Sequence, residues 1–139
     1  RAQPQRARSG HADHVAHFHF GEICTSLQRA TLTPGGSSVL AFSTVMGTVG
    51  ALVPLRTREE VDVFVQLEMH MRAEMLSLTG RDHMSYRSAF VPVKAVVDGD
   101  LCELFTTLPL DKQATIASQL SHTVSEVCKM LEDIRNLAV

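Results

Sequence analysis

Nine consecutive residues, Gly80 to Ser88, hold the densest group of reactive side chains in the chain. The run contains two arginines, an acid, a histidine, a tyrosine and two serines: Arg81, Asp82, His83, Ser85, Tyr86, Arg87 and Ser88. An acid that orients a histidine, with a serine as nucleophile, would be the chemistry of a hydrolase. The alternative is a polar clasp, in which the acid and the arginines pair with each other and with backbone carbonyls. Neither serine lies in a G-x-S-x-G turn, so we favour the clasp and predict no catalytic residues.

Four histidines near the start of the chain are candidate metal ligands: His11, His14, His17 and His19. On a strand, His17 and His19 would face the same side and could supply two ligands to one ion. No cysteine or carboxylate stands at a recognised metal spacing from them, so we predict a solvated strand face and no metal site.

Two carboxylates, Asp98 and Asp100, flank Gly99, and paired carboxylates can serve acid–base or metal chemistry. The start of a helix explains them more simply. In this interpretation Asp100 is the N-cap, and Asp98 interacts favourably with the positive end of the helix dipole. No phosphate-binding glycine-rich loop is present, so we predict no cofactor.

Composition narrows the classes of protein further. The 139 residues suit a single domain, and the net charge of −2 argues against a nucleic-acid grip spread over the whole surface. The longest apolar run falls short of the roughly 20 residues that span a bilayer, and no secretory signal is visible. The three cysteines, Cys24, Cys102 and Cys128, are widely spaced and odd in number, which favours reduced, buried thiols in an intracellular protein over a disulfide framework.

The predicted secondary structure changes from strands to helices along the chain. Residues 1–13 are basic and predict a disordered lead-in or loop, and residues 14–55 predict strands at 16–20, 23–32, 38–45 and 48–55. Met46 and Gly47 separate the last two strands, which predicts a hairpin. Residues 56–139 have the period of helices. About four strands followed by about four helices is an α+β pattern. Four strands equal one propeller blade, which is not stable alone, so we expect the strands to complete a larger β structure outside this chain.

Three helix starts share one signature, a capping residue followed three positions later by glutamate. The capping residues are Thr57, Asp100 and Thr123, and each pair can satisfy free N–H groups at a helix start. We predict helices over 58–78, with Gly80 as the stop, from Asp100 onward, over 112–120 with Asp111 as the cap, and over 124–137.

Several runs, in constant order, resemble the cleavage and polyadenylation specificity factor A family. They are Gly50–Pro54, Leu67–Arg72, Gly80–His83 with Ser85 and Arg87–Ser88, Asp98–Glu103, and Leu131–Arg135. The resemblance implies a very large chain of three β-propellers closed by a C-terminal helical domain. This chain would supply the terminal propeller strands, about one blade, and the small helical domain.

The chain resembles the splicing branch of this family most, because the Gly-Arg-Asp-His run is typical of that branch. The resemblance implies a nuclear, non-catalytic scaffold within splicing factor 3b of the U2 small nuclear ribonucleoprotein. Its partners would be a large helical-repeat subunit and a small subunit, with indirect association to U2 snRNA and pre-mRNA during branch-site recognition. The alternatives are a scaffold of a cullin ubiquitin ligase or of the polyadenylation machinery and, outside the family, a hydrolase using Asp82, His83 and Ser85.

If the polar run is a clasp, its residues lock the helical domain to the last propeller blade. We therefore expect Asp82 and Arg87 to be buried and hydrogen-bonded. The predicted clasp or interface consists of Arg81, Asp82, His83, Tyr86, Arg87, Asp98 and Asp100.

Overall fold

The computed structural model describes residues 16–75 and 95–138 of the protein. Within these ranges an antiparallel sheet of three strands precedes the helices, which confirms the α+β class. The strands are β1 (Cys24–Thr31), β2 (Ser38–Thr44) and β3 (Val49–Leu52). The helices are α1 (Arg58–Glu74), α2 (Gly99–Glu103), a 3-10 helix (Leu104–Thr107), α3 (Leu110–Gln119) and α4 (Val124–Ala138). No helix in the described ranges is long and apolar enough to cross a bilayer.

The sheet has the order β1-β2-β3, and its register aligns Leu27, Phe42 and Gly50 in one row. A Cβ atom on Gly50 would lie 2.4 Å from the Phe42 ring, so the ring occupies the space above a residue that has no side chain. The predicted β2–β3 hairpin is confirmed. The Gly47 N–H donates to the carbonyl of Thr44 (3.1 Å), and Gly47 supplies the positive φ of +92° that the turn requires.

The strand predicted over residues 16–20 is wrong. The aromatic residues of this segment do alternate, but they pack against one another and against the sheet. Phe20 stacks on Phe42 with ring centroids 4.0 Å apart, and Phe18 meets Phe20 edge-on at 5.8 Å. The alternation of aromatic residues therefore indicates side chains that pack against the sheet. It does not indicate a backbone that pairs with a strand.

Helix α1 begins as predicted, because Thr57 and Glu60 form a complete capping box. It ends at Glu74, four residues before the predicted Leu78. Met75 leaves the helix in an extended conformation (φ −100°, ψ 118°), and its side chain packs against the helical core. The apolar period continues past Met75, but the contact with the core is made by an extended residue.

Helices α3 and α4 lie in the regions predicted to be helical, but the cap of α3 differs from the predicted one. Thr123 and Glu126 exchange the hydrogen bonds of a capping box at the start of α4. Helix α3 begins at Leu110, two residues early, with Pro109 at the cap position, and Asp111 lies inside its first turn. Asp111 is therefore not the cap, because the fixed φ of proline already sets the helix start.

The hydrophobic core lies among the helices. Its buried members come from α1, α2, the 3-10 helix, α3, α4 and the residue after α3: Phe64, Leu67, Met71, Leu101, Cys102, Phe105, Ile116, Ala117, Leu120, Val127 and Leu131. In the sheet, by contrast, only Val39 and Thr44 are buried among the described residues. The helical part therefore holds its own core, while much of the sheet's apolar surface faces outward.

The link from α3 to α4 contains one strained residue. The His122 N–H donates to the Ala117 carbonyl (2.9 Å) and the Ser121 N–H to the Ser118 carbonyl (3.1 Å), which together form a Schellman motif. This motif places Ser121 in the left-handed region at φ 61°. Glycine is the residue that adopts this conformation without steric cost.

Replacing Ser121 with glycine should therefore stabilise the protein by about 0.5–1 kcal/mol. Urea denaturation followed by circular dichroism measures this change. Ser118→Gly is the matched control, since Ser118 is an exposed helical residue and the same change should destabilise by about 0.5 kcal/mol. Equal signs for the two variants would contradict the strain at Ser121.

Candidate functional site: a buried acidic junction and an exposed hairpin

Of the predicted clasp, the structure describes the two carboxylates that flank Gly99. The other members, Arg81, Asp82, His83, Tyr86 and Arg87, lie outside the described residues, as do Ser85 and Ser88 of the hydrolase alternative. Their predicted burial and pairing therefore stay predictions.

Asp98 is buried at the junction of α1 and α2, with 2% of its surface exposed. Its Oδ1 accepts a hydrogen bond from the Leu101 N–H (3.4 Å), which makes it the N-cap of α2. Its own N–H donates to the Glu68 carboxylate on α1 (3.1 Å). One residue thus starts α2 and attaches it to α1.

The prediction that Asp100 caps this helix is wrong. Helix α2 begins at Gly99, so Asp98 occupies the cap position and Asp100 falls in the first turn. Asp100 is exposed there, where its charge still interacts favourably with the helix dipole. The roles assigned to the two carboxylates from the sequence are therefore reversed.

Cys102 lies beside this junction with 0% of its surface exposed, as predicted, and its thiol donates to the Phe64 carbonyl (3.9 Å). The predicted burial is wrong for Cys24, which lies exposed on strand β1. Burial raises the pKa of the Cys102 thiol well above its ordinary value, and the negative charges of Glu68 and Asp98 raise it further. A thiol with a raised pKa stays protonated, so Cys102 is unsuited to act as a nucleophile or a metal ligand.

Metal chemistry finds no support in the described ranges. Within residues 16–75 and 95–138, no three histidine, cysteine or acidic side chains come together to hold an ion. His17 and His19 do not lie on a strand, so the geometry that would have aligned them is not present. His19 instead uses its Nδ1 to accept a hydrogen bond from the Gly21 N–H (3.1 Å).

The β2–β3 hairpin is held by Glu22, which no motif in the sequence indicates as a site residue. Its carboxylate accepts hydrogen bonds from the hydroxyls of Thr44 and Thr48, the latter at 3.0 Å, and from the Met46 backbone. The Thr44 hydroxyl and, to a smaller extent, the Thr48 hydroxyl and Met46 backbone hold the pKa of Glu22 below its ordinary value. These contacts span more than twenty residues of sequence, so no local pattern indicates them.

Around this hairpin, apolar side chains face outward. The exposed fractions are 72% for Ile23, 60% for Val45, 79% for Met46 and 79% for Val49. We call these four residues the hairpin patch. Because Glu22 fixes the turn, the patch has a defined backbone, which suits contact with protein more than with a small ligand.

Glu22→Gln should remove part of the pH dependence of stability. The lowered pKa of Glu22 means that its contribution is complete above the ordinary glutamate pKa and is lost as the pH falls through the lower folded value. The loss of stability in Glu22→Gln should therefore be larger at pH 7 than on the acid side of the ordinary value. Urea denaturation across pH measures this, with Glu132→Gln at an exposed position of α4 as the control. A loss that is independent of pH would contradict the role of the Glu22 charge.

Comparison with known proteins identifies the family. Residues 1–107 match the family described as the CPSF A subunit region. The chain belongs to this family, which confirms the resemblance noted from the sequence runs.

Three relatives show how far the similarity extends. The chain is 54% identical over 124 residues to Spliceosome-associated protein 130 A of Arabidopsis thaliana and 53% identical over 124 residues to Splicing factor 3B subunit 3 of Drosophila melanogaster. It is 47% identical over 121 residues to Pre-mRNA-splicing factor RSE1 of Mycosarcoma maydis. These matches cover 87–89% of the chain and 10% of each relative. The chain therefore spans about a tenth of the length of the relatives it matches.

Proposed function

We propose that this chain is a segment of a non-catalytic scaffold subunit of the pre-mRNA splicing machinery. The observation that carries the proposal is the 47–54% identity to relatives whose names place them in splicing. The exposed apolar side chains of the hairpin patch agree with a role in protein contacts. The acidic junction, by contrast, joins two helices of the same chain, and the Cys102 thiol is buried.

A finer proposal concerns the complex. We infer that the whole protein acts in the nucleus within splicing factor 3b of the U2 small nuclear ribonucleoprotein. There it would hold a large helical-repeat subunit and a small subunit, and through them support branch-site recognition on pre-mRNA. The sequence runs that resemble the splicing branch and the name of the Drosophila relative support this proposal.

The proposed architecture is the end of a β-propeller, from about residue 14 to 55, followed by a helical domain over 56–139. Two features of the sheet support it. Strands β1 and β3 each pair with β2 alone among the described strands, so each leaves an edge to which another strand could pair. The hairpin patch also exposes apolar side chains, and exposed apolar surface is typical of a region that contacts another part of a protein.

We further propose that the polar run is a clasp that locks the helical domain to the last propeller blade. In this proposal Arg81 and Arg87 lie near the acidic junction of Glu68 and Asp98. The Glu68 carboxylate accepts a hydrogen bond from the Asp98 backbone between α1 and α2, and Arg81 and Arg87 carry charge opposite to that of these two acids. A double-mutant cycle with Arg87→Gln and Asp98→Asn tests this pairing in the full-length protein. A second cycle pairs Arg81→Gln with Asp98→Asn. Coupling energies near zero in both cycles would contradict the proposed clasp.

Affinity purification of the tagged full-length protein from cells tests the main proposal. We expect the other subunits of splicing factor 3b to be recovered. Recovery of cullin-ligase or polyadenylation components without them would overturn the proposal and favour one of the two related scaffolds.

His83→Ala separates a scaffold from the hydrolase alternative. In a scaffold the variant should lose stability or assembly, whereas in an enzyme it should remain folded and lose turnover. Hydrogen exchange of the purified full-length variant reports the first outcome, and an assay with ester and peptide substrates reports the second.

A further inference from the structure

We draw no further inference here: the strongest candidate, the exposed hairpin patch of Ile23, Val45, Met46 and Val49 beside β2 and β3, carries no proposal because nothing in the structure shows what covers it.

Discussion

Replacing Leu67 with alanine should destabilise the protein by about 3 kcal/mol. Leu67 has 0% of its surface exposed and belongs to the cluster of helical core residues. The change removes buried methyl groups and leaves a cavity between α1 and its neighbours, and close-packed cores relax only partly around such a cavity. The free energy of unfolding from urea denaturation measures the effect.

Met69→Ala is the matched control for this experiment. Met69 lies two residues further along the same helix, has a side chain of similar size, and is 55% exposed. It should lose less than about 0.5 kcal/mol. Similar losses for the two variants would show that α1 does not bury the face that contains Leu67.

Asp98→Ala should destabilise the protein by about 1–2 kcal/mol, the second largest effect that we expect. The variant loses the side-chain oxygen that accepts the Leu101 N–H at the start of α2. Asp98→Asn retains a capping oxygen and should recover the part of the loss that comes from the cap. Urea denaturation of the two variants separates the cap from the charge.

Asp100→Ala distinguishes the two possible caps of α2. Asp100 is exposed in the first turn, so its removal should cost less than about 0.5 kcal/mol through the helix dipole. If Asp100→Ala proved more damaging than Asp98→Ala, the cap would be the one predicted from the sequence. Thr57→Ala provides a reference for the loss of a capping box on the same protein.

The contrast between these caps shows what local sequence can predict. The pattern of a capping residue followed by glutamate correctly located the starts of α1 and α4, because both partners lie within one turn. The same pattern at Asp100 and Glu103 was misleading. The cap is Asp98, whose backbone N–H donates to the Glu68 carboxylate thirty residues away, and a contact at that separation is invisible to a local pattern.

The sheet was likewise predictable only where the residues in contact are close in the sequence. The β2–β3 hairpin was predictable because its glycine and its apolar runs are adjacent in the sequence. The role of Phe18 and Phe20 was not, since a period of two indicates facing side chains whether or not the backbone pairs. The contact of Glu22 with the hairpin depends on the completed register and was also missed.

The candidate site was predictable only in part. Asp98 was identified as a polar residue at a helix start, and its burial against α1 appears only in the structure. The roles of Arg81, Asp82, His83 and Arg87 in the clasp remain predictions from the sequence. The family, by contrast, was recognisable from runs of residues, because identity close to half is kept along nearly the whole chain.

The burial of Cys102 gives the protein a natural probe of its own motions. The thiolate is the form of cysteine that attacks an alkylating reagent. Cys102 should therefore be modified only when the helical core opens, whereas the exposed Cys24 is accessible in the folded protein. The ratio of Cys102 modification to Cys24 modification, measured by mass spectrometry, would report how often the core opens. Binding of a partner that stabilises the helical domain would lower that ratio, and no additional cysteine has to be engineered into the protein.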